Sequence, residues 1–109
     1  QPDEEVKPEP KTVNYTVYCE SGNFKFMCMT STGEWFKETV HANNYTKSVL
    51  INDNQLDYIT QVIIDSIPTT DSLFIKAEMN GKTVSSGHRG NHCYKCGGMN
   101  VSVQLNNLK

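Results

Sequence analysis

Four cysteines sit in two pairs near opposite ends of the 109-residue chain, Cys19 and Cys28 at one, Cys93 and Cys96 at the other. Bridges joining the ends would close loops of roughly 65 to 77 residues by subtraction of positions, each stabilising by on the order of 4 kcal/mol. The pattern predicts an oxidising compartment and a small domain stapled end to end. A zinc ion on Cys93 and Cys96 with His88 and His92 is the competing use of the same residue types. It leaves Cys19 and Cys28 unexplained, so two disulfides are the better reading and no metal is expected. A redox-active Cys-x-x-Cys normally opens a helix, whereas here Gly97 and Gly98 follow.

The length fits one domain with a modest core, to which two bridges would add. The first eleven residues carry Asp3, Glu4, Glu5 and Glu9 against Lys7 and Lys11, with proline and no aromatic ring. They read as a solvated acidic tail over 1–11, ahead of a single domain over 12–109. The whole chain has a net charge of −2, so the tail accounts for all of it. A balanced domain has no global attraction for nucleic acid, and RNA binding would need a local patch. No apolar run reaches membrane-spanning length, and no membrane association is expected. Sequons at Asn14, Asn44 and Asn100 are candidate N-glycosylation sites. With the cysteines, and a start at Gln1 that implies a removed signal peptide, they predict a secreted protein.

Val13 to Cys19, a turn at 20–23 and Phe24 to Met29 read as strand, turn, strand. Thr30, Ser31 and Thr32 offer helix caps, and 34–45 reads as a short amphipathic helix ending at Asn43 and Asn44. A short strand follows near 48–51, then a strong one over Tyr58–Asp65, then a break at 68–71. Leu73–Glu78, the turn Asn80-Gly81 and Lys82–Ser86 form a hairpin. Residues 87–98 read as a loop, and 99–105 as a last strand. The expected class is α+β: an N-terminal β-hairpin and one α-helix packed on an antiparallel sheet.

His88, Arg89, His92 and Lys95 concentrate on that glycine-punctuated loop. They are candidate contacts to RNA or phosphate, or acid/base groups, though without a partner carboxylate an ordinary solvated loop is the better reading. Glu78 and Lys76 share one strand face near it. Trp35 and Phe36 offer a binding platform, with helix core the competing role for at least one. No phosphate-cradling glycine loop, Ser/His/Asp set or paired carboxylates is present, and no cofactor is expected.

Two local motifs carry a family resemblance. The run from Thr83 to Cys93, ending Gly-Asn-x-Cys, and the preceding Asp71-Ser72-Leu73-Phe74-Ile75 form one; Phe26-Met27-Cys28, an aromatic-x-Cys, forms the other. They resemble the small fungal guanyl-specific ribonucleases, and more closely the secreted ribonuclease-like effectors of powdery mildew fungi. The resemblance covers about residues 13–96. It implies a microbial-ribonuclease-like fold and a Cys28–Cys93 bridge, with Cys19–Cys96 as the second. It also implies a virulence or avirulence role in a plant pathogen, with a host plant protein or immune receptor as partner, weak RNA binding, and a monomer delivered into host cells. The family's catalytic residues do not carry over. Tyr58–Asp65 has no glutamate, the arginine position is Ser72, and the histidine position falls near Ser85. None of these can transfer the protons or neutralise the phosphate, so a pseudoenzyme is expected. The alternative is an active secreted ribonuclease with a rearranged site built from His88, His92 and Glu78.

Overall fold

A computed structural model describes residues 10–64, 70–91 and 99–108. Eight strands follow in order: β1 (Lys11–Cys19), β2 (Phe24–Met29), β3 (Trp35–Val40), β4 (Asn44–Ile51), β5 (Ile59–Ile64), β6 (Thr70–Met79), β7 (Lys82–Asn91) and β8 (Met99–Gln104). Short 3₁₀ turns cover Asp53–Gln55 and Leu105–Leu108. The strands form two four-stranded sheets, ordered β4-β1-β6-β7 and β3-β2-β5-β8, and every pairing is antiparallel. Only β2–β3 and β6–β7 are consecutive partners in one sheet; every other connection changes sheet. This is a β-sandwich, whose core is the inward face of both sheets.

Period-2 alternation fixes which side chains point inward. On β1, Val13, Tyr15, Val17 and Cys19 are buried while the residues between them are exposed. On β6, Leu73, Ile75, Ala77 and Met79 do the same, and Val62 and Ile64 face them from the second sheet. One polar contact crosses the interior: the Tyr15 and Thr60 hydroxyls share a 2.8 Å hydrogen bond between β1 and β5. Burial holds the Tyr15 pKa well above its ordinary value, against the Thr60 hydrogen bond that lowers it. The bond therefore stays between neutral groups and leaves neither hydroxyl orphaned in the core. The Tyr15 ring also meets Phe26 edge-on at 5.2 Å.

The α+β expectation is corrected: no α-helix occurs among the described residues, and 34–45 forms β3, a turn and the start of β4. Gly33 turns the chain with φ +87°, and β3 then pairs with β2 from Met29↔Trp35 to Phe24↔Val40. Because β3 is an edge strand, only Val40 is buried and Phe36 half-buried. Its polar residues gave the segment the look of a helix with a solvated face, while the pairing partners that make it a strand lie elsewhere in the chain. The microbial-ribonuclease-like architecture, a helix on one sheet, is corrected with it.

The disulfide expectation is corrected too. Cys19 and Cys28 are free thiols, both fully buried. Cys93 and Cys96, the partners expected in Cys28–Cys93 and Cys19–Cys96, lie outside the described residues. Each described cysteine occupies an inward position of its strand and packs as a small apolar residue. The Asn80-Gly81 hairpin is as expected: both residues have positive φ, 52° and 79°, as a type I′ turn requires.

Candidate functional site

The outward face of the first sheet carries Lys76 and Glu78 together with two exposed aromatic rings. Its register sets Tyr18 of β1 beside Phe74 of β6, and Phe74 beside Gly87 of β7. One row along, Thr16, Lys76 and Ser85 align in the same way. Tyr18 and Phe74 are 40% and 37% exposed, with ring centroids 6.4 Å apart and planes tilted by 33°. The Phe74 ring lies on Gly87. A Cβ at that position would come within 2.1 Å of the ring carbon Cδ1, so the aromatic side chain occupies the space a larger residue would need. A shallow groove of ≈ 530 Å³ runs between these residues, lined also by Thr16, Lys76, Ser85 and Ser86. Apolar rings thus sit in an otherwise polar, hydroxyl-rich face.

The residues 87–91 belong to β7 and not to a loop. His88 pairs with Leu73, and Arg89 with Ser72. His92 and Lys95 lie outside the described residues, as do Cys93 and Cys96. Lys76 and Glu78 are exposed on one strand face, as expected from their spacing. Glu78 pairs with Thr83 near the hairpin, five residues along β6 from the partner of His88. That separates the two backbone positions by roughly 17 Å along the strand. Glu78 and His88 therefore sit on different rows of the sheet, and His92, the third residue of that set, lies outside the described residues. Asn14, Asn44 and Asn100 are all exposed on strands, and Asn14 Oδ1 accepts a 2.6 Å hydrogen bond from Ser48 Oγ.

A second cluster closes the side of the sandwich where edge strands β3 and β4 approach. The Tyr45 hydroxyl donates to Glu38 Oε1 at 2.6 Å, and Lys47 Nζ stands 4.3 Å from the Phe36 ring centre. Burial, reinforced by Glu38, pushes the Tyr45 pKa up. Burial also raises the Cys28 thiol to about 11, with Lys47 pulling the other way. A thiol so placed stays protonated at neutral pH and is a poor nucleophile. No group of three or more His, Cys, Asp or Glu arranged to hold a metal occurs among the described residues.

Sequence reasoning missed Tyr18 and Phe74. The signal was present: each falls out of phase with a buried alternation, Val13/Tyr15/Val17 for one and Leu73/Ile75/Ala77 for the other. Trp35 and Phe36 divide the two roles offered them, since Trp35 is exposed and Phe36 packs against the core. No described helix is long and apolar enough to cross a membrane. No family model, curated protein or solved structure matches this chain.

Proposed function

We propose that this chain is a secreted, non-catalytic β-sandwich module that binds a protein partner through the outward face of its first sheet. The carrying observation is the Tyr18–Phe74 pair, held side by side on the two central strands and left exposed. Tyrosine and phenylalanine are enriched at recognition surfaces because they offer large, rigid contact area with few rotors to freeze. Exposed Asn14, Asn44 and Asn100 in their sequons support a secreted life. An effector role came with a ribonuclease-like architecture that the chain lacks. The reading keeps binding and the lack of catalysis, and leaves that architecture behind.

A second reading has one observation of its own. Paired aromatic rings on a sheet also stack nucleobases, and the register places Arg89 on the strand next to Phe74. One experiment separates the two. Wild type, Tyr18→Ala and Tyr58→Ala are immobilised and exposed to proteins from the chain's own surroundings, with and without nuclease. The protein reading expects a partner held by wild type and Tyr58→Ala, insensitive to nuclease, and reduced about tenfold or more by Tyr18→Ala. Identical capture by all three overturns it. Nuclease-sensitive capture, with an RNA affinity whose salt slope flattens in Arg89→Ala, replaces it with the RNA reading.

A further inference from the structure

At one end of the sandwich, away from the Tyr18–Phe74 face, two loops border an open, shallow hollow of ≈ 370 Å³. One runs from β2 to β3 through Ser31, Thr32 and Gly33; the other runs from β4 to β5 through Asn52, Asn54, Gln55 and Tyr58. The walls are tied together by specific hydrogen bonds. Gln55 Nε2 donates to the Thr30 carbonyl at 2.8 Å, while its Oε1 accepts from the Asn52 N–H at 2.8 Å. Asn52 Nδ2 donates to the Ser31 carbonyl at 3.2 Å, and the Ser31 N–H reaches the Leu50 carbonyl at 2.9 Å. Gln55 is itself buried, so this framework is fixed before any ligand arrives.

Two features define what fits. First, every lining residue is uncharged; Met29 forms the apolar floor, and the rest offer hydroxyl, amide or backbone groups. The nearest charges on the second loop are acidic, Asp53 and Asp57, and Asp53 is engaged by Lys11 at 3.0 Å. Among the described residues, no cation lines the hollow to hold a phosphate or carboxylate. Second, the rim is aromatic. Tyr58 lines the hollow, and Trp35 meets it edge-on with ring centres 5.6 Å apart. Both remain exposed, at 45% and 41%. Small-ligand sites combine aromatic surface with a few placed polar groups in volumes of ~300–1,000 Å³.

We propose that this hollow binds a neutral carbohydrate. A sugar ring presents an apolar C–H face and an equatorial fringe of hydroxyls that both donate and accept. The Trp35 and Tyr58 rings match the face. The Asn54 amide and the Ser31, Thr32 and Tyr58 hydroxyls match the fringe, since each can take either role or supply both. An acidic sugar would find no cation among the described lining residues to pair with its carboxylate. The shallow form of the site fits one end or one short stretch of a glycan.

Trp35 is the single tryptophan, so its fluorescence reports on this site alone. The test titrates the full chain with cellohexaose, xylohexaose, maltohexaose, mannohexaose and chitohexaose, with galacturonate oligosaccharide as the charged control. The expected result is a saturable fluorescence change with at least one neutral oligomer. Tyr58→Ala should weaken that binding about tenfold or more, Asn54→Ala several-fold, and the charged control should bind about tenfold less tightly. Tyr18→Ala should leave it unchanged, so failure here is distinguishable from failure of the first-sheet reading. If Tyr58→Ala does not fold, Thr32→Lys at the exposed loop obstructs the same hollow and serves instead. The proposal is overturned by an absence of saturable change across the neutral panel, by binding that survives obstruction, or by equal binding of the charged control.

Discussion

Two pairs of exposed aromatic rings are built differently, and the roles proposed for them differ accordingly. Tyr18 and Phe74 stand on the central strands of one sheet, fixed by antiparallel register and by the glycine beneath the Phe74 ring. Trp35 and Tyr58 come from an edge strand and the residue just ahead of β5, brought together by loops that a buried glutamine holds in place. The first pair is flat, next to Lys76 and a row of hydroxyls, and suits an extended partner surface. The second rims a concave, uncharged hollow and suits a small neutral ligand. The same residue chemistry is thus set in two different shapes and charge environments, on which the two proposed specificities rest.

The largest expected effect removes what the two regions share. Phe26 is fully buried, and its ring meets those of Tyr15, Phe36 and Tyr45. Phe26→Ala should cost ~3–5 kcal/mol in urea unfolding and weaken both binding activities together through loss of folded protein. A smaller change should separate them. In Gly87→Ala the new methyl group displaces the Phe74 ring, at a cost of ~1–3 kcal/mol. Partner binding should fall while oligosaccharide binding, measured on the folded fraction, stays as in wild type. Loss of both would show that the two regions are coupled and not independent.

A third prediction concerns the edge cluster that belongs to neither pair. The folded-state thiol of Cys28 is raised from 9.0 to about 11. Between those values the unfolded chain has already lost the proton that the native state keeps, so stability falls as pH rises. Denaturation midpoints should therefore be level below pH 9 and decline from there towards about 11. Cys28→Ala should show a shallower decline over that range. Tyr15 and Tyr45, both raised by burial from 10.0, add to the loss from about pH 10 upward. An unchanged alkaline profile in Cys28→Ala would contradict the burial that this account gives the thiol.

Local patterning made much of the fold legible. The alternations of β1, β2, β5 and β6, and the Asn80-Gly81 turn, follow from period-2 burial and positive-φ chemistry. What patterning did not reveal was the division into two sheets, because that depends on pairings such as β1 with β6 and β5 with β8, far apart in sequence. The same gap explains β3: an edge strand with one buried residue carries almost no alternation to read. The cysteines were misjudged for another reason. Cys19 continues the buried Val13, Tyr15, Val17 series, and Cys28 continues Phe24 and Phe26. Parity marked both as core positions, while their spacing along the chain spoke for staples. The proposed binding face was partly legible, since Lys76 and Glu78 share a strand face as their spacing implied, but the rings beside Lys76 were passed over as ordinary strand residues.

The most direct test is a reciprocal titration of Tyr18→Ala and Tyr58→Ala against both ligand classes, the captured protein partner and the neutral oligosaccharide that binds best. The account predicts a crossed pattern: Tyr18→Ala loses the partner about tenfold or more and keeps the sugar, and Tyr58→Ala does the reverse. If either variant loses both ligands while remaining folded, or neither variant loses anything, the two aromatic pairs are not separate recognition sites and the account is wrong.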